Sequence, residues 1–386
     1  MASSTEIAVI GASGAGLLAG YLLARQGYEV TVFEQQPHYR PARRTLIVTS
    51  ALQQVLPFEA HPAILHKTPW MTVATSRQEV TLRFRVPDLI VERRALLQYL
   101  LEQARRAGCR IILGHRFQGW EAASDGSLRL HLERQGETVQ VTVHRALIGA
   151  DGVTSDVARA LGLPLPPRIP ILQAEVALPA GWDPRRTQVW FFPQETRYFY
   201  WLIPESEHRG VLGLMTDAHV SPKPLLDAFL KRWGLTPLAY QGAQVALYHP
   251  RLQAYRRVGR VDVYLLGDAA GHVKNTTVGG TVTGFWAAQA AARAIHRGRP
   301  WKETARGLYR ELRLHWWIRR ALHGFSEAGY DLLLRCLTPS VRDFLERRTR
   351  DEMAPDLWKT LLTTPALWRL TPHVLRSLGR PFPEGG

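Results

Sequence analysis

Cysteine is almost absent from this chain, which contains two among 386 residues. Cys109 and Cys336 form neither a CxxC pair nor the spacing of a metal site. This scarcity excludes a disulfide-rich secreted scaffold and a cysteine-based metal centre, and it is typical of a protein from a reducing cytoplasm. We therefore expect a cytoplasmic protein without a metal site.

Long apolar runs are missing as well. No segment approaches the length of about 20 residues that a membrane-spanning helix needs. The first residues, MASSTE, lead into an apolar strand without the basic and apolar regions of a signal peptide. We therefore expect any contact with a membrane to be peripheral.

Acidic residues are in deficit, because 33 Asp and Glu stand against 49 Lys and Arg and leave a net charge of +16. This balance favours anionic partners such as a membrane surface, a pyrophosphate or a nucleic acid. No basic run is interleaved with aromatic residues in the manner of a nucleic-acid-binding module, so we expect no nucleic-acid partner. An anionic membrane surface stays a candidate partner.

The stretch from Ile7 to Glu34 has the pattern of strand, glycine turn, helix and strand. An apolar run, IAVI, is followed by the small residues GASGAG and then by leucines at helical spacing. Glu34 ends the second strand about twenty residues after the turn, as in the dinucleotide-binding fingerprint. The pattern predicts a dinucleotide site here.

Each position of this turn has a physical reason. Gly11 permits a tight turn off the strand, and Gly16 lets the helix pack closely on the sheet. Ser13 replaces the middle glycine of the fingerprint and is still small. Free amides at the helix start favour a pyrophosphate, and Glu34 can accept hydrogen bonds from ribose hydroxyls. The predicted contacts are Gly11, Ser13, Ala15, Gly16 and Glu34.

The rest of the chain divides by composition. Strand patterns at residues 110–113, 127–133 and 138–144 indicate a small antiparallel layer. From about residue 164, prolines and short aromatic strands indicate a second, β-rich domain. We predict an α/β fold with a Rossmann-like cofactor-binding domain (1–75, 90–165 and 258–300), a β-sheet substrate domain (76–89 and 166–257) and a helical C-terminal region (301–386).

Four motifs occur in the order found in one flavoprotein superfamily. They are the first glycine turn, Arg93 in the helix ERRALLQYLLEQA, GADGVTS at 149–155 and GDAAG at 267–271. Together they resemble the FAD-binding superfamily that includes aromatic hydroxylases and geranylgeranyl reductases. The resemblance implies that Arg93 contacts FAD, that Asp151 lies where the two domains connect, and that Asp268 binds the ribityl chain.

The segment that begins at Gly267, GDAAGHVKNTTVGGTVTGF, is similar to the corresponding segment of the geranylgeranyl reductase family. Gly279 and Gly280 would let the backbone approach the edge of a flavin ring, and the start of the following helix favours negative charge there. Arg44 lies where the chain would pass back near the dinucleotide. The resemblance implies reduction of C=C bonds in a prenyl chain or isoprenoid lipid, with NAD(P)H or another donor as a transient reductant.

An alternative rests on the motif FYWLIP at 199–204. It matches the aromatic motif of the reductases at Trp201 and Pro204, but it also resembles the Trp-x-Trp-x-Ile-Pro of flavin-dependent halogenases. A flavin-dependent monooxygenase or halogenase that acts on an aromatic or other apolar molecule is therefore the second hypothesis. We identify no lysine that is placed to support halogenation.

Candidate substrate and catalytic residues follow from the same region. Trp190, Phe192, Phe199 and Trp201 would line an apolar tunnel for the isoprenoid or, alternatively, form the packed face of a sheet. His272, beside GDAAG, would donate a proton to the substrate or would serve in packing. Trp201 is the second candidate catalytic residue.

The C-terminal segment RELRLHWWIRRALHGF separates apolar and basic residues on a helix, as an interfacial membrane helix does. It would equally serve as a helix that covers the substrate domain. We favour the membrane contact, because the implied substrate is a lipid and the chain is basic.

Overall fold

The computed structural model describes residues 3–354, 357 and 363–379. The strands, in chain order, are β1 (Ser3–Ile10), β2 (Val30–Glu34), β3 (Thr45–Val48), β4 (Ile64–Ala74), β5 (Glu79–Glu92), β6 (Arg110–Leu113), β7 (Arg116–Ala122), β8 (Leu128–Arg134), β9 (Glu137–Gly149), β10 (Arg168–Ala177), β11 (Arg186–Trp190), β12 (Tyr200–Pro204), β13 (Arg209–Met215), β14 (Pro237–Ala246), β15 (Tyr255–Val258) and β16 (Val261–Leu265). The helices are α1 (Gly14–Ala24), α2 (Ala51–Val55), α3 (Arg93–Arg106), α4 (Asp156–Ala160), α5 (Pro222–Arg232), α6 (Thr281–Arg297), α7 (Trp301–Thr304), α8 (Arg306–Leu322), α9 (Glu327–Arg335), α10 (Pro339–Arg347), α11 (Pro365–Trp368) and α12 (Thr371–Leu378). Two 3₁₀ turns lie at His61–Ala63 and Gly267–Ala270. Residues 355–356, 358–362 and 380–386 of the predicted C-terminal region lie outside the described residues.

The first sheet contains the glycine turn. Its main path runs β15-β16-β9-β1-β2-β6, and the pairs between β16, β9, β1, β2 and β6 are parallel. Ile7, Val9 and their neighbours in β1 are buried on both sides, as in a central strand of a parallel sheet covered by helices. Helix α1 packs on β1 and β2, and α3 and α6 pack on α1. The predicted α/β, Rossmann-like fold is confirmed.

The predicted antiparallel layer is only partly correct. Strands β7, β8 and β9 pair antiparallel, but β6 pairs parallel to β2, so residues 110–113 form the edge of the main sheet. A parallel partner needs a crossover connection, and α3, which directly precedes β6, supplies it.

The second sheet has the strand order β14-β10-β13-β12-β11-β4-β5-β3. It includes β4, although residues 64–74 fall within the segment predicted for the cofactor-binding domain. β4 pairs with β5 and β11. Pro69 and the register shift between Thr68 and Trp70 interrupt the alternation by which a strand is recognised in a sequence. The domain boundaries themselves stay a prediction.

The two faces of the second sheet have different partners. Helix α5 covers one face, where the ring of Phe229 stacks on Tyr200 with centroids 4.3 Å apart. The other face looks toward the first sheet. The C-terminal helices cover part of it, with Leu334 and Leu345 against Val80 and Leu82 of β5. In the described residues no helix is long and apolar enough to cross a membrane.

Candidate functional site

A cavity of about 510 Å³ lies between the glycine turn, the inward face of the second sheet and the C-terminal segment. Several of the predicted site residues lie far apart in the sequence and meet on its wall. These are Ser13, Ala15, Arg44, Arg93, Phe199, Trp201, Gly267, Asp268, Gly279 and Gly280. The cavity therefore joins the predicted cofactor end to part of the predicted substrate end.

The turn after β1 has no room for larger side chains. Gly11 has a φ of 97°, and a Cβ there would lie 2.5 Å from the carbonyl oxygen of Ala150. A Cβ on Gly16 would lie 2.3 Å from the carbonyl oxygen of Gly11. Ser13 caps α1, because its Oγ accepts a hydrogen bond from the Gly16 amide at 3.3 Å. The start of α1 is thus held against the cavity, where its amides favour an anion.

Glu34 is held beside this turn rather than on the cavity wall. Its Oε2 accepts a hydrogen bond from the amide of Ala12 at 2.9 Å, and its Oε1 accepts one from Gln36 at 3.0 Å. A carboxylate oxygen has more than one acceptor position, so both oxygens keep capacity for hydroxyl donors. The arrangement fits the predicted ribose contact.

Arg44, Arg93 and Asp268 form one charged part of the cavity wall. Burial lowers the pKa of Arg44, and the charge of Arg93 lowers it further. Burial raises the pKa of Asp268, while Arg93 and Arg44 act against that rise. Two guanidinium groups beside one carboxylate favour an additional anionic group, which a pyrophosphate would supply. These residues therefore fit a dinucleotide.

Asp151 stabilises the backbone at the start of α4. Its carboxylate accepts hydrogen bonds from Ser155 Oγ at 2.6 Å and from the amides of Asp156 and Val157 at 2.8 and 3.1 Å, at the start of α4. The next residue, Gly152, lines the cavity, whereas Asp151 does not. The predicted cofactor contact of Asp151 stays a prediction.

The loop from Lys274 to Gly280 forms the wall opposite the second sheet. Lys274 and Gly279 form an isolated β-bridge, and α6 begins directly after Gly280. Val278, between them, has a φ of 51°. This left-handed conformation is strained for a β-branched residue, and such strain is found at functional sites.

The four predicted aromatic substrate residues divide between the two faces of the second sheet. Val189 pairs with Trp201 and Trp190 pairs with Tyr200, so the two pairs point to opposite sides. Phe199 and Trp201 line the cavity. Trp190 and Phe192 instead pack on Phe229 of α5. The structure therefore does not bring Trp190 and Phe192 to the cavity. Strand alternation turns Trp190 toward α5, and Phe192, which follows β11, packs on the same helix.

His272 is fully buried and does not line the cavity. Its Nε2 lies 3.3 Å from Tyr309 Oη, and burial lowers the pKa of the imidazole to about 3. The imidazole is therefore neutral near pH 7. The structure does not bring His272 together with the other predicted site residues, and its catalytic role stays a prediction.

Sequence reasoning missed an ion pair on the cavity wall between Lys274 and Asp351. The side chains are 6% and 1% exposed. Thr49 Oγ1 also donates to Asp351. Burial raises the pKa of Asp351, but Lys274 and Thr49 more than offset this and hold it below its usual range. A lysine in the loop after GDAAG was the available signal for this pair, whereas nothing in the sequence points to its partner 77 residues away.

A second ion pair continues this polar region. Arg350 contacts Asp88 at 2.7 Å, and the Arg350 carbonyl lies 3.0 Å from His315 Nε2. Glu311 accepts a hydrogen bond from the Ala354 amide at 2.9 Å. The segment from Arg350 to Ala354 is thereby fixed against α8 and the loop of Lys274. The C-terminal region thus supplies part of the site.

Comparisons with known proteins identify the family of the chain and proteins with a similar fold. The sequence profile of a family described as "FAD binding domain" matches residues 4–285. The fold is similar to that of a geranylgeranyl bacteriochlorophyll reductase-like protein from Thermoplasma acidophilum, with a TM-score of 0.79, 16% identity and coverage of 97% of this chain and 100% of that chain. No curated protein matches the sequence.

Two further structures share the fold at lower similarity. The alignment with the flavin-dependent halogenase CmlS has a TM-score of 0.67 and 21% identity, and it covers 97% of this chain and 77% of the CmlS chain. PqsL from Pseudomonas aeruginosa, a probable FAD-dependent monooxygenase, gives 0.63 at 17% identity and covers 83% of this chain and 95% of its own. The recognition of an FAD-binding superfamily is confirmed.

Proposed function

Since this chain belongs to the family of the FAD binding domain and is an FAD-dependent oxidoreductase, we propose that it reduces C=C bonds in a prenyl chain or isoprenoid lipid. One observation carries the proposal. The apolar wall of Phe199, Trp201 and Met215 faces the loop of Gly279 and Gly280 across a single cavity. The likeness in fold to a reductase-like protein over the whole chain supports it.

The residues that would hold FAD follow from the geometry of the wall. The turn at Gly11 and the start of α1 would hold the pyrophosphate, Glu34 the ribose, and Asp268 the ribityl chain. When bound, FAD supplies the hydride chemistry of the reaction. We propose NAD(P)H or another transient donor as the source of electrons.

The chain itself would orient the substrate and keep water away. Trp201 is only 8% exposed and packs beside Phe199, so the two rings form a firm apolar surface. The chain of an isoprenoid laid on this surface would be held by apolar contacts. We propose a positioning role for Trp201, because its indole has no acid–base chemistry near neutral pH.

Anaerobic turnover tests the proposal. The FAD-loaded protein, reduced chemically, is incubated with geranylgeraniol, and mass spectrometry detects products heavier by two hydrogens. Trp201→Ala should lower the rate about tenfold or more, since it removes the wall that positions the substrate. Trp233→Ala, which changes a tryptophan beside α5, should retain the rate. Loss of activity in both variants, or none in the parent protein, would count against the proposal.

A flavin-dependent monooxygenase or halogenase is the second candidate. Two observations favour it, namely the fold likeness to CmlS and PqsL and the presence of Lys274 on the cavity wall. Such an enzyme consumes oxygen and stops when oxygen is removed, whereas a reductase continues. Oxygen-dependent product from an aromatic substrate would favour this candidate.

We also propose that α8 contacts an anionic membrane surface. Arg310, Arg313 and Trp317 follow one another at helical spacing and are exposed, and the chain carries a net charge of +16. Flotation with phosphatidylserine vesicles at low salt tests this. Arg310→Glu/Arg313→Glu should stay at the bottom while the parent protein floats, and a parent protein that does not float would contradict the proposal.

A further inference from the structure

The substrate side of the cavity is mostly apolar, and the polar side chains of Gln173 and Thr187 on it already have hydrogen-bond partners within the protein. Ile47, Met71, Val73 and Met215 line the apolar part. A polar part of the wall, named the pole and defined as Lys274, Asp351 and Thr277, lies where the loop after Gly271 meets the C-terminal segment. Burying a polar group costs free energy unless it is hydrogen-bonded. The contacts at this pole therefore show what kind of ligand would complete it.

Thr277 and Lys274 surround the same point of the wall. A Cβ placed on Gly279 would lie 3.4 Å from Thr277 Oγ1 and 3.8 Å from Lys274 Nζ. Thr277 Oγ1 is buried and has no hydrogen-bond partner within residues 3–354, 357 and 363–379. A ligand atom next to Gly279 would thus meet a free hydroxyl and an ammonium group together.

Lys274 keeps donor capacity for such an atom. An ammonium group has three N–H donors. One is used by Asp351, and a second reaches the Arg350 carbonyl only at 3.5 Å. Asp351 Oδ2 is already bonded by Thr49. A hydrogen-bond acceptor on the ligand is what the pole can receive.

The charges around the pole indicate whether the hydrogen-bond acceptor of the ligand is neutral or anionic. Lys274 is balanced by Asp351, and Arg350 is balanced by Asp88. A diphosphate or carboxylate next to the pole would bring a buried charge that the already paired Lys274 and Arg350 would not fully compensate, which is costly. A hydroxyl or carbonyl oxygen would be bonded without that cost.

We propose that Lys274 and Thr277 bind an uncharged oxygen of the substrate, such as an alcohol or carbonyl, while its apolar body lies on the sheet wall beside Trp201. This inference rests on the proposed function for the identity of the body as an isoprenoid. It assigns the substrate class as a prenyl alcohol or carbonyl compound. A bare hydrocarbon or a prenyl diphosphate would bind less well.

Calorimetric titration of the FAD-loaded protein tests the inference without turnover. The probes are geraniol, the hydrocarbon myrcene and geranyl diphosphate, which share a ten-carbon body. We expect geraniol to bind roughly tenfold more tightly than myrcene, as for one hydrogen bond to a charged group. Geranyl diphosphate should bind no more tightly than geraniol. Equal affinity for geraniol and myrcene, no binding of geraniol, or a clear preference for the diphosphate would each overturn the inference.

Variants of Lys274 test whether this residue causes the preference for geraniol over myrcene. Lys274→Met leaves Asp351 without its cation, so Lys274→Met/Asp351→Leu, which removes both charges, is measured beside it. In either variant the ratio of geraniol to myrcene affinity should fall to about threefold or less. Lys223→Met removes a lysine of an exposed surface pair and should keep the ratio. A full ratio in the double variant would overturn the inference.

The outcomes separate this inference from the proposed function. Preferential binding of geraniol without its reduction would support the binding role of Lys274 and Thr277 and would contradict the proposed reductase function. Reduction of the substrate, together with an unchanged ratio of geraniol to myrcene affinity in the double variant, would support the reductase function and contradict the binding role of Lys274 and Thr277.

Discussion

The indole of Trp201 lies directly over Gly213 on the neighbouring strand. A Cβ on Gly213 would lie 2.3 Å from the indole Cζ2. The two residues are register partners of β12 and β13, and both belong to the face that looks toward the cavity. The position of the aromatic wall therefore depends on the absence of a side chain at Gly213.

Gly213→Ala should displace the Trp201 ring. We expect a loss of about 1–3 kcal/mol in the free energy of unfolding, as for overpacking of a core. FAD content should be retained, because the proposed pyrophosphate site lies at the first sheet. Urea denaturation measures the loss. Gly119→Ala is the matched control in β7, where an added Cβ meets no atom within 4 Å. Equal stability of the two variants would contradict the packing described.

Arg93→Met should weaken FAD binding. The guanidinium lies on the cavity wall near Asp268, and a hydrogen bond to an anion contributes about 1.5–3 kcal/mol, so we expect the dissociation constant of FAD to rise roughly tenfold or more. Fluorescence titration of FAD measures it. Arg105→Met, on the exposed side of the same helix, should bind FAD as the parent does. An unchanged constant for Arg93→Met would remove this residue from the site.

Val278→Gly should stabilise the protein. Val278 has a φ of 51° and is only partly buried against the cluster of Trp201 and Ile203, so the strain that glycine relieves should exceed the packing that it removes. We expect a gain of about 0.5–1 kcal/mol by urea denaturation. Val245→Gly, at a cavity-lining strand position with an ordinary φ, should instead lose stability. A loss in both variants would show that the loop at Val278 is not strained.

His272 should make stability depend on pH. Burial lowers its pKa to about 3, while an unfolded histidine titrates near 6.5. Since the unfolded chain binds the proton first, this contribution is complete above about pH 6.5 and is lost as pH falls toward 3. Between pH 6.5 and 5 the parent protein should lose roughly 1–2 kcal/mol more than His272→Gln. Parallel curves for the two proteins would contradict a neutral, buried imidazole.

The glycine turn that is proposed to hold the cofactor was predictable from the sequence because its signals are local. Gly11, Gly16 and Glu34 lie within one strand–helix–strand unit, and each is required by the backbone close to it. The helix predicted at ERRALLQYLLEQA likewise corresponds to α3. Local periodicity and turn chemistry are properties that a sequence carries directly.

The substrate end was less predictable because it depends on pairing between distant segments. Which face Trp190 and Trp201 take is decided by register, and a shift of one residue would exchange them. The partner of Lys274 comes from a segment after α10, for which the sequence offers no signal. His272 shows the same limit, since its position next to GDAAG does not tell which way the side chain points.

The most direct test of this account is the amount of FAD that the purified protein holds after incubation with the cofactor and removal of the excess, measured by absorption against protein concentration. We expect one FAD for each chain in the parent protein, and loss of that FAD in Gly11→Ala, in which the added Cβ would lie 2.5 Å from the carbonyl oxygen of Ala150. A colourless parent protein that takes up no FAD would contradict the account at its centre.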